Sequence, residues 1–341
     1  MKLVADDKIP YIDCFFSHFD KVVLLPGEKI ANSDLTDADL LLTRTVTTVN
    51  EPLLKNTAVK FVGSATTGID HIDTHYLADH AIFFANAAGA NSQAVAEYVL
   101  CAIAALIHSG QLKEQGVAGI IGYGRIGKLI ASLLNTVGFT VLSYDPFVLN
   151  DYSTSLEKLL ADSDVITIHT PLTKTGLYPT YHMIDEEELS LMKKNAVLIN
   201  TARGSVINQN ALLNHQDLIL CLDVFENEPT ISLELLHRLT IATPHIAGYT
   251  LEAKQRATTM IFDQAAQFFG WEKKNTAPPV IKNTAPTKIS LDNCLLHYDP
   301  LAHTKAFRTA FIDKNTVADV FITERKNYVL RKTSCLMPAN A

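Results

Sequence analysis

Three glycines between an apolar strand and an amphipathic helix constrain this chain more than any other feature. They lie in Gly122-Tyr-Gly-Arg-Ile-Gly127, directly after the apolar run Val117–Ile121. Apolar side chains then recur at helical spacing as far as Val137, and a second strand-like run ends at Tyr144. Asp145 follows, 18 residues after the last glycine. This order of strand, glycines, helix, strand and acid predicts a dinucleotide-binding α/β fold.

The motif predicts a binding site for NAD. Glycines let the backbone approach a pyrophosphate at a helix N-terminus, where peptide N–H groups and the helix dipole favour an anion. Asp145 is expected to bind a ribose 2′-hydroxyl and to repel a 2′-phosphate, so NAD is favoured over NADP. A GxGxxG sequence alone can be an ordinary tight turn. The residues expected to bind the cofactor here are Gly122, Gly124, Arg125, Ile126, Gly127 and Asp145.

The rest of the chain indicates two α/β domains and an appended C-terminal part. Short apolar runs alternate with helix-compatible stretches from residue 2 to 94 and again from residue 117, which is typical of βα units on a parallel sheet. We predict two doubly wound, Rossmann-like parallel-sheet domains with a cleft between them. The predicted divisions are 1–93 for a substrate domain completed by 264–273, 94–263 for the NAD-binding domain, 274–289 for a proline-containing linker, and 290–341 for a small C-terminal module.

Composition excludes several classes of protein. Lys plus Arg total 29 against 36 Asp plus Glu, a net charge of -7, so nonspecific binding of nucleic acid is not expected. Five widely spaced cysteines without a CxxC pair argue against a disulfide framework, and no metal site is expected. The N-terminus lacks the apolar core of a signal peptide, and the longest apolar run, Tyr98–Ile107, is half a membrane span. We expect a cytoplasmic protein without a membrane partner.

Three charged side chains that follow strand-like runs are candidates for catalysis. Oxidation of a hydroxy acid needs a cation for the carboxylate and a base for the hydroxyl proton, and the base is usually helped by a group that stabilises its charged form. Ligands bind at the carboxyl ends of strands in open α/β sheets. Taken singly, however, each is typical of a surface charge, a loop charge or a packed turn. The candidates are Arg203 in Thr201-Ala-Arg-Gly204, Glu228 in Asp223-Val-Phe-Glu-Asn-Glu-Pro229, and His245 in Thr243-Pro-His-Ile-Ala-Gly-Tyr249.

In this order after the glycine motif, the three motifs resemble the D-isomer-specific 2-hydroxyacid dehydrogenase family over roughly residues 1–270. The resemblance implies that Arg203, Glu228 and His245 are catalytic. It also implies further residues around the NAD site, in the loops that follow the later strands. These are Thr170, Thr201, Ala202, Arg203, Asp223 and Gly248.

Four further stretches resemble family members that act on a phosphorylated four-carbon 2-hydroxy acid. They are Val4-Ala-Asp-Asp7 before Ile9-Pro-Tyr11, Thr43-Arg-Thr-Val-Thr47, Phe61-Val-Gly-Ser-Ala-Thr-Thr-Gly-Ile-Asp-His71 and His245-Ile-Ala-Gly-Tyr-Thr-Leu-Glu252. This likeness implies that Thr45, Thr66 and Tyr249 contact substrate, although loop threonines also cap their own backbone. Arg44 is our candidate for the phosphate, with an ordinary surface arginine as the alternative. Such members carry a longer C-terminal dimerisation module, and the likeness therefore implies a homodimer. Residues 290–341 are expected to form a shortened dimerisation-like module.

Two other functions stay open. Another D-2-hydroxy acid, such as 3-phosphoglycerate, would need the same chemistry, and the surroundings of Thr66 and Tyr249 would then distinguish the substrates. An NAD-sensing binding protein would be indicated by loss of the Arg, Glu or His, and all three are present. A Tyr-x-x-x-Lys pair occurs only at Tyr328 and Lys332, outside the dinucleotide unit, which argues against a short-chain dehydrogenase.

Overall fold

The structure is a computed structural model that describes residues 1–16, 19–271, 291–312 and 316–333. The described residues form two compact units, one lying within Met1–Asn91 and Thr250–Lys282 and the other within Ser92–Tyr249 and Asn283–Ala341. The linker predicted at 274–289 lies outside the described residues, as does Cys335. Within the four described segments, no helix has both the length and the apolar character needed to span a membrane.

The strands and helices alternate along most of the chain. The strands are β1 (Lys2–Asp6), β2 (Lys21–Leu25), β3 (Leu40–Thr43), β4 (Phe61–Ser64), β5 (Phe83–Asn86), β6 (Val117–Ile121), β7 (Thr140–Tyr144), β8 (Val165–Ile168), β9 (Val197–Asn200), β10 (Ile219–Leu222) and β11 (Ile241–Ala242). The helices are α1 (Ile12–Phe15), α2 (Asn32–Leu35), α3 (Glu51–Leu54), α4 (Thr74–Asp79), α5 (Ser92–His108), α6 (Arg125–Thr136), α7 (Leu156–Asp162), α8 (Glu186–Leu191), α9 (Gln209–Asn214), α10 (Leu233–Arg238), α11 (Leu251–Phe269), α12 (Leu291–Leu295), α13 (Pro300–Ala310) and α14 (Val317–Asn327).

The first unit is a five-stranded parallel sheet in the order β2-β1-β3-β4-β5. The order reverses between β1 and β3, and ligands bind at such switch points in doubly wound sheets. The edge strand β2 was not predicted, and its exposed Val22 and Leu24 give it little of the burial that the other strands have. The helix α11 packs on β4 and β5, burying Ile261 and Phe262 beside Phe61.

The whole of α11 therefore belongs to the first unit. The predicted NAD-binding domain extends to residue 263, because the helical periodicity marks the helix but not the sheet on which it packs. The unit to which α11 belongs depends on its contacts with β4 and β5, which are distant in sequence. The domain divisions themselves stay a prediction.

The second unit contains a six-stranded parallel sheet in the order β11-β10-β9-β8-β6-β7. Its strands β6 to β10 lie in the apolar runs predicted from residue 117 onward, and β11 adds two residues at one edge. Its switch point lies between β6 and β8, so the glycine motif after β6 stands where a dinucleotide is expected to bind. The helix α5 is buried nearly all round and packs against α6, α12 and α13. The prediction of two doubly wound parallel sheets is confirmed.

The described C-terminal residues form three helices within the second unit, where α12 and α13 pack against α5 and α13 also packs against β11. Thr304 of α13 accepts the N–H of Ala242 at 2.9 Å, which satisfies a donor on the edge strand β11. Phe307 and Phe321 are fully buried, and Phe321 stands edge-on to Phe225 with ring centroids 6.0 Å apart. The small C-terminal module that the sequence predicts is therefore present, as helices, in the described part of residues 290–341.

Candidate active site

The loop after β6 is shaped by Gly122. Its φ of 91° lies in the left-handed region, and a Cβ at this position would come within 2.8 Å of the His169 carbonyl group. Only glycine fits both conditions. The loops that follow β6 and β8 can therefore meet directly at the switch point of the sheet.

The start of α6 fits the pyrophosphate of a dinucleotide. Gly124 is the N-cap and has no side-chain cap, so the first peptide N–H groups of a 12-residue helix have no side-chain acceptor from this position. A Cβ built at Gly124 meets no atom of the described structure within 4 Å, which leaves the approach to these groups open. Arg125, Ile126 and Gly127 form the first turn. A helix N-terminus of this kind favours a bound phosphate.

Two polar side chains flank this loop. Asp145, directly after β7, accepts the N–H of Tyr123 at 2.8 Å through Oδ2 and the N–H of Phe147 at 2.9 Å through Oδ1. The carboxylate thus holds the glycine loop as well as standing where a ribose acceptor is expected. Thr170 has a buried hydroxyl without a hydrogen-bond partner among the described residues. A buried polar group of this kind is explained when a ligand satisfies it.

Arg203 is carried by a short loop that Asn200 fixes. The Asn200 side chain accepts the N–H of Ala202 at 3.0 Å and donates to the Arg203 carbonyl at 2.9 Å. A Cβ at Gly204 would lie 1.9 Å from the carbonyl carbon of Phe225, so only glycine allows this loop to pack on the loop that leads to Glu228. The structure therefore brings the loops of two predicted catalytic residues together.

His169 was not among the predicted site residues, and it joins strand β8 to the loop that carries Arg203. Its Nε2 lies 2.8 Å from the Thr167 hydroxyl and its Nδ1 lies 3.4 Å from the Thr201 hydroxyl. Burial lowers the pKa of His169 to about 3, so the ring is neutral near pH 7. Its place directly after β8, at the switch point, is the sequence signal by which it could have been predicted.

His245 and Glu228 form a hydrogen-bonded pair. Nδ1 of His245 lies 2.7 Å from Oε2 of Glu228, and Oε1 of the same carboxylate accepts the N–H of Phe225 at 2.8 Å. Burial raises the pKa of Glu228, but His245, the Phe225 N–H and Arg325 outweigh this, and the pKa lies below its usual value. Glu228 is therefore ionised near pH 7 and accepts a hydrogen bond from Nδ1–H of His245, which leaves Nε2 as the nitrogen available for chemistry.

Asp223 holds the loop that carries His245. Its buried carboxylate accepts the Thr243 hydroxyl at 2.6 Å, the N–H of Ile246 at 2.8 Å and the N–H of Ala247 at 2.9 Å. Gly248 lies in the same loop, between β11 and α11. This gives Asp223 a structural role in addition to the expected place beside the cofactor, which stays a prediction.

Tyr249, which is predicted to contact substrate, is hydrogen-bonded to Arg325 of the C-terminal module. Nε of Arg325 donates to the Tyr249 hydroxyl at 3.0 Å, and the guanidinium carbon lies 5.5 Å from the ring centroid. Arg325 could not be predicted from the sequence, because it is separated from Tyr249 by 76 residues and lies in no motif.

The first unit contains the other predicted substrate residues. The Thr66 hydroxyl lies 2.6 Å from the Ser64 hydroxyl and donates to the Gly68 carbonyl at 2.9 Å, while Ser64 lies 3.1 Å from Nε2 of His71. These bonds hold Thr66 in one orientation. They are compatible with a substrate contact and also with the alternative of a threonine that caps its own loop. Thr45 is exposed in the loop after β3.

Arg44 is paired with a buried acid at the switch point of the first sheet. Its Nη2 donates to Oδ1 of Asp6 at 2.9 Å, and the Asp6 side chain is 0% exposed against 29% for Arg44. Nε of Arg44 has no hydrogen-bond partner among the described residues. Arg44 is thus an ion-paired residue at a strand end, which differs from a simple surface arginine.

Comparison with known proteins agrees with this geometry. Residues 102–247 match the D-isomer specific 2-hydroxyacid dehydrogenase, NAD binding domain. An erythronate-4-phosphate dehydrogenase of Coxiella burnetii is 41% identical over 342 residues, covering 97% of this chain and 93% of its own. Another, of Acinetobacter baumannii, is 45% identical over 278 residues, covering 80% of this chain and 78% of its own.

Solved structures point to the same group. D-lactate dehydrogenase of Aquifex aeolicus, complexed with NAD and lactic acid, has a TM-score of 0.68 at 28% identity, covering 79% of this chain and 96% of its own. NAD-bound 3-phosphoglycerate dehydrogenase of Entamoeba histolytica has a TM-score of 0.70 at 25% identity, covering 83% of this chain and 99% of its own. The predictions of an NAD cofactor and of a dehydrogenase are confirmed. The chain belongs to the erythronate-4-phosphate dehydrogenases, within the NAD-dependent D-isomer specific 2-hydroxyacid dehydrogenases.

Proposed function

We propose that this enzyme oxidises 4-phospho-D-erythronate to (R)-3-hydroxy-2-oxo-4-phosphooxybutanoate with NAD, in the biosynthesis of pyridoxine and pyridoxal 5′-phosphate. The observation that carries the reaction type is the 2.7 Å pair between His245 and Glu228. The choice of substrate is supported by the relative that is 41% identical over 93% of its length and is named for this acid.

His245 is assigned the proton of the C2 hydroxyl. With Nδ1 donating to Glu228, Nε2 carries a lone pair and can accept this proton as a general base. The imidazolium that results is stabilised by the neighbouring carboxylate, which lies 2.7 Å away. In the reverse direction the same nitrogen returns the proton to the carbonyl oxygen, so one residue serves both directions.

Arg203 is assigned the substrate carboxylate. Its planar fork can make two charge-assisted bonds and so orient C2. The loop around it is fixed by Asn200, which lowers the cost of ordering it when substrate binds. Bound NAD supplies the hydride acceptor, and the loss of one hydride and one proton converts the C2 alcohol to a ketone.

The cofactor is assigned to the loops at the switch point of the second sheet. The pyrophosphate would lie on the N–H groups that begin α6, and the adenosine ribose would meet Asp145. The unsatisfied Thr170 hydroxyl supports a ligand at this place. Residues that complete the proposed site are Gly122, Gly124, Arg125, Ile126, Gly127, Thr201, Ala202, Arg203, Asp223 and Gly248.

The substrate is assigned to residues that the family resemblance and the sequence single out. Thr45, Thr66 and Tyr249 are proposed to bind the acid, and Arg44 is proposed to bind its phosphate. A doubly charged phosphate needs cations or donors, because an unpaired charge is costly to desolvate. The Asp6 partner neutralises part of the Arg44 charge, and the unsatisfied Nε supports a remaining role as donor.

A substrate panel tests this proposal. The purified enzyme is assayed for NADH formation with 4-phospho-D-erythronate, D-erythronate, 3-phosphoglycerate and D-lactate, which share the 2-hydroxy acid but differ in length and phosphate. The proposal expects the highest kcat/KM for 4-phospho-D-erythronate. A higher value for 3-phosphoglycerate would assign the enzyme to the alternative substrate. Absence of turnover with every acid, with NADH binding retained, would favour an NAD-sensing protein.

We further propose a cytoplasmic homodimer that needs neither nucleic acid nor a membrane. The described cysteines, Cys14, Cys101, Cys221 and Cys294, are all free, which suits a reducing compartment. Light scattering at micromolar concentration tests the oligomeric state. A monomer would show that residues 290–341 do not act as a dimerisation module.

A further inference from the structure

Arg331, in the C-terminal module, binds the backbone of the loop that carries His245. Its Nη1 donates to the Ile246 carbonyl at 3.1 Å, and its Nη2 donates to the Ala247 carbonyl. Nη2 also donates to the Ala94 carbonyl at 2.9 Å, near the start of α5. One planar guanidinium thus ties the two peptide groups after His245 to a long buried helix.

The same two residues are held from their N–H side by Asp223. The carboxylate accepts the N–H groups of Ile246 and Ala247 at 2.8 and 2.9 Å, while Arg331 binds their carbonyls. The loop is therefore fixed between an anion and a cation. Removal of either group leaves the peptide groups on that side without their charged partner.

This loop needs such support because of the backbone of His245. Its φ of 57° lies in the left-handed region, which costs a non-glycine residue free energy unless the surroundings impose it. The φ of His245 sets where its ring lies relative to Glu228. Contacts at 246 and 247 therefore bear directly on the direction of Nε2.

Aromatic rings hold the guanidinium itself in place. The Arg331 guanidinium carbon lies 5.0 Å from the ring centroid of Tyr298 and 6.0 Å from that of Tyr98, and Nη1 donates to the Tyr328 hydroxyl at 3.2 Å. Cation–π contacts and a charge-assisted bond of this kind restrict the rotamers of an arginine. Lysine could not reproduce the planar fork.

We propose that Arg331 is a positioning residue of the dehydrogenase reaction, through which the C-terminal module holds the His245 loop in its reactive conformation. Arg331 touches neither substrate nor cofactor in this proposal. The proposal rests on the assignment of His245 as base in the proposed function. It gives the C-terminal module a role in each active site that is separate from dimerisation.

Arg308 provides a matched control. It also belongs to the C-terminal module and also binds backbone carbonyls, donating to Leu236 at 3.1 Å and to Leu239. These carbonyls lie at the end of α10, so Arg308 closes a helix, and its hydrogen bonds in the described structure go to this end and not to residues 245–249. Arg308→Met therefore removes a comparable set of bonds from the same module without touching the His245 loop.

The test compares Arg331→Met, Arg331→Lys, Arg308→Met and His245→Ala with the wild-type enzyme, each assayed with the acid that wild type oxidises fastest. We expect Arg331→Met to lower kcat by about 10- to 100-fold, the usual effect of a misplaced catalytic group, while NADH affinity is retained. The deuterium isotope effect with C2-deuterated substrate should rise, because hydride transfer becomes rate-limiting. Arg308→Met should lower the melting temperature but leave kcat and the isotope effect unchanged.

Hydrogen exchange supplies a readout that does not depend on turnover. The amides of residues 246 and 247 should exchange faster in Arg331→Met than in wild type or Arg308→Met, because the loop opens more often. A further variant, Arg331→Ala, leaves room for an added guanidinium ion. Guanidinium at a non-denaturing concentration should partly restore kcat in Arg331→Ala but not in His245→Ala. If Arg331→Met does not fold, Arg331→Lys carries the same comparison, with a smaller loss of kcat expected.

Equal behaviour of the Arg331 and Arg308 variants in kcat, isotope effect and exchange would overturn the proposal and assign Arg331 to stability alone. An error in the proposed substrate would give a separate result. A wild-type enzyme inert toward 4-phospho-D-erythronate but active on another acid would overturn the substrate assignment and leave this comparison intact. Full activity of folded His245→Ala would overturn the base and, with it, the reason for holding the loop.

Discussion

Glu228 holds His245 with one carboxylate oxygen and its own loop with the other. Oε2 lies 2.7 Å from Nδ1 of His245, and Oε1 accepts the Phe225 N–H at 2.8 Å. The carboxylate cannot rotate away from the imidazole without losing the second bond. The histidine therefore has a fixed partner, and its second nitrogen is left for chemistry.

His245→Ala should lower kcat by on the order of 10² to 10⁴, because a positioned general base contributes about this much. NADH binding, measured by fluorescence, should be retained, since His245 is not assigned to the cofactor. Glu228→Gln is the companion variant, because it keeps the size of the side chain but removes its charge, and a smaller loss is expected. Undiminished turnover in folded His245→Ala would remove this residue from the role of base.

Arg203→Lys should lower kcat/KM for the acid substrate, because an ammonium cannot make the two parallel bonds of a guanidinium to a carboxylate. Steady-state kinetics with the preferred acid measures the loss, and the melting temperature serves as a control for the loop around Asn200. Normal affinity and rate in the lysine variant would show that bidentate binding is not used and would assign Arg203 a structural role.

Asp145→Ala should weaken NAD binding and narrow the difference between NAD and NADP, because the carboxylate is assigned the ribose 2′-hydroxyl. The same change removes the acceptor for the Tyr123 N–H, so both cofactors are expected to lose affinity. The ratio of the two dissociation constants is therefore the quantity to measure. Asp145→Asn keeps an acceptor for Tyr123 and separates the two effects; an unchanged ratio in both variants would place the ribose elsewhere.

Arg44→Ala should weaken phosphorylated substrate by roughly 1.5 to 3 kcal/mol, the range for a hydrogen bond to a charged group. Unphosphorylated D-erythronate should be almost unaffected. Because the change also strands the buried Asp6 carboxylate, Asp6→Asn/Arg44→Ala is the matched control, with the buried charge removed. Equal losses on both acids that the double variant restores would mean that Arg44 only supports its loop.

His169 should make the free energy of unfolding depend on pH. Its pKa of about 3 in the folded protein lies below its ordinary value of 6.5, so the unfolded chain binds the proton more tightly. The stability that it contributes is present above pH 6.5 and is lost as the pH falls toward about 3. Urea unfolding across this window should show a shallower fall for His169→Gln than for wild type. The exposed His237, changed to glutamine, is the control, and identical slopes for wild type and His169→Gln would contradict the expectation.

Local patterns were enough to predict much of this protein. The glycine motif, the strand before it and Asp145 after the next strand lie within a short stretch, and their spacing carries the βαβ geometry without help from the rest of the chain. The loops of Arg203, Glu228 and His245 could also be predicted, because the carboxyl ends of parallel strands meet at one edge of a sheet. The family resemblance added their roles, which stay predictions.

Only the tertiary structure decided which distant residues support that site. Asp6 and Arg44 are separated by 38 positions and meet because β1 and β3 are neighbours in the sheet. Arg331 contacts Ala247 across 84 positions, and although Ala247 lies in the His245 motif, no motif marks Arg331. Hydrogen bonds of this kind depend on which surfaces pack together, and packing is a property of the whole fold. The sequence alone therefore determined the cofactor loop and the order of the catalytic motifs, while the fold determined how the C-terminal module holds the His245 loop.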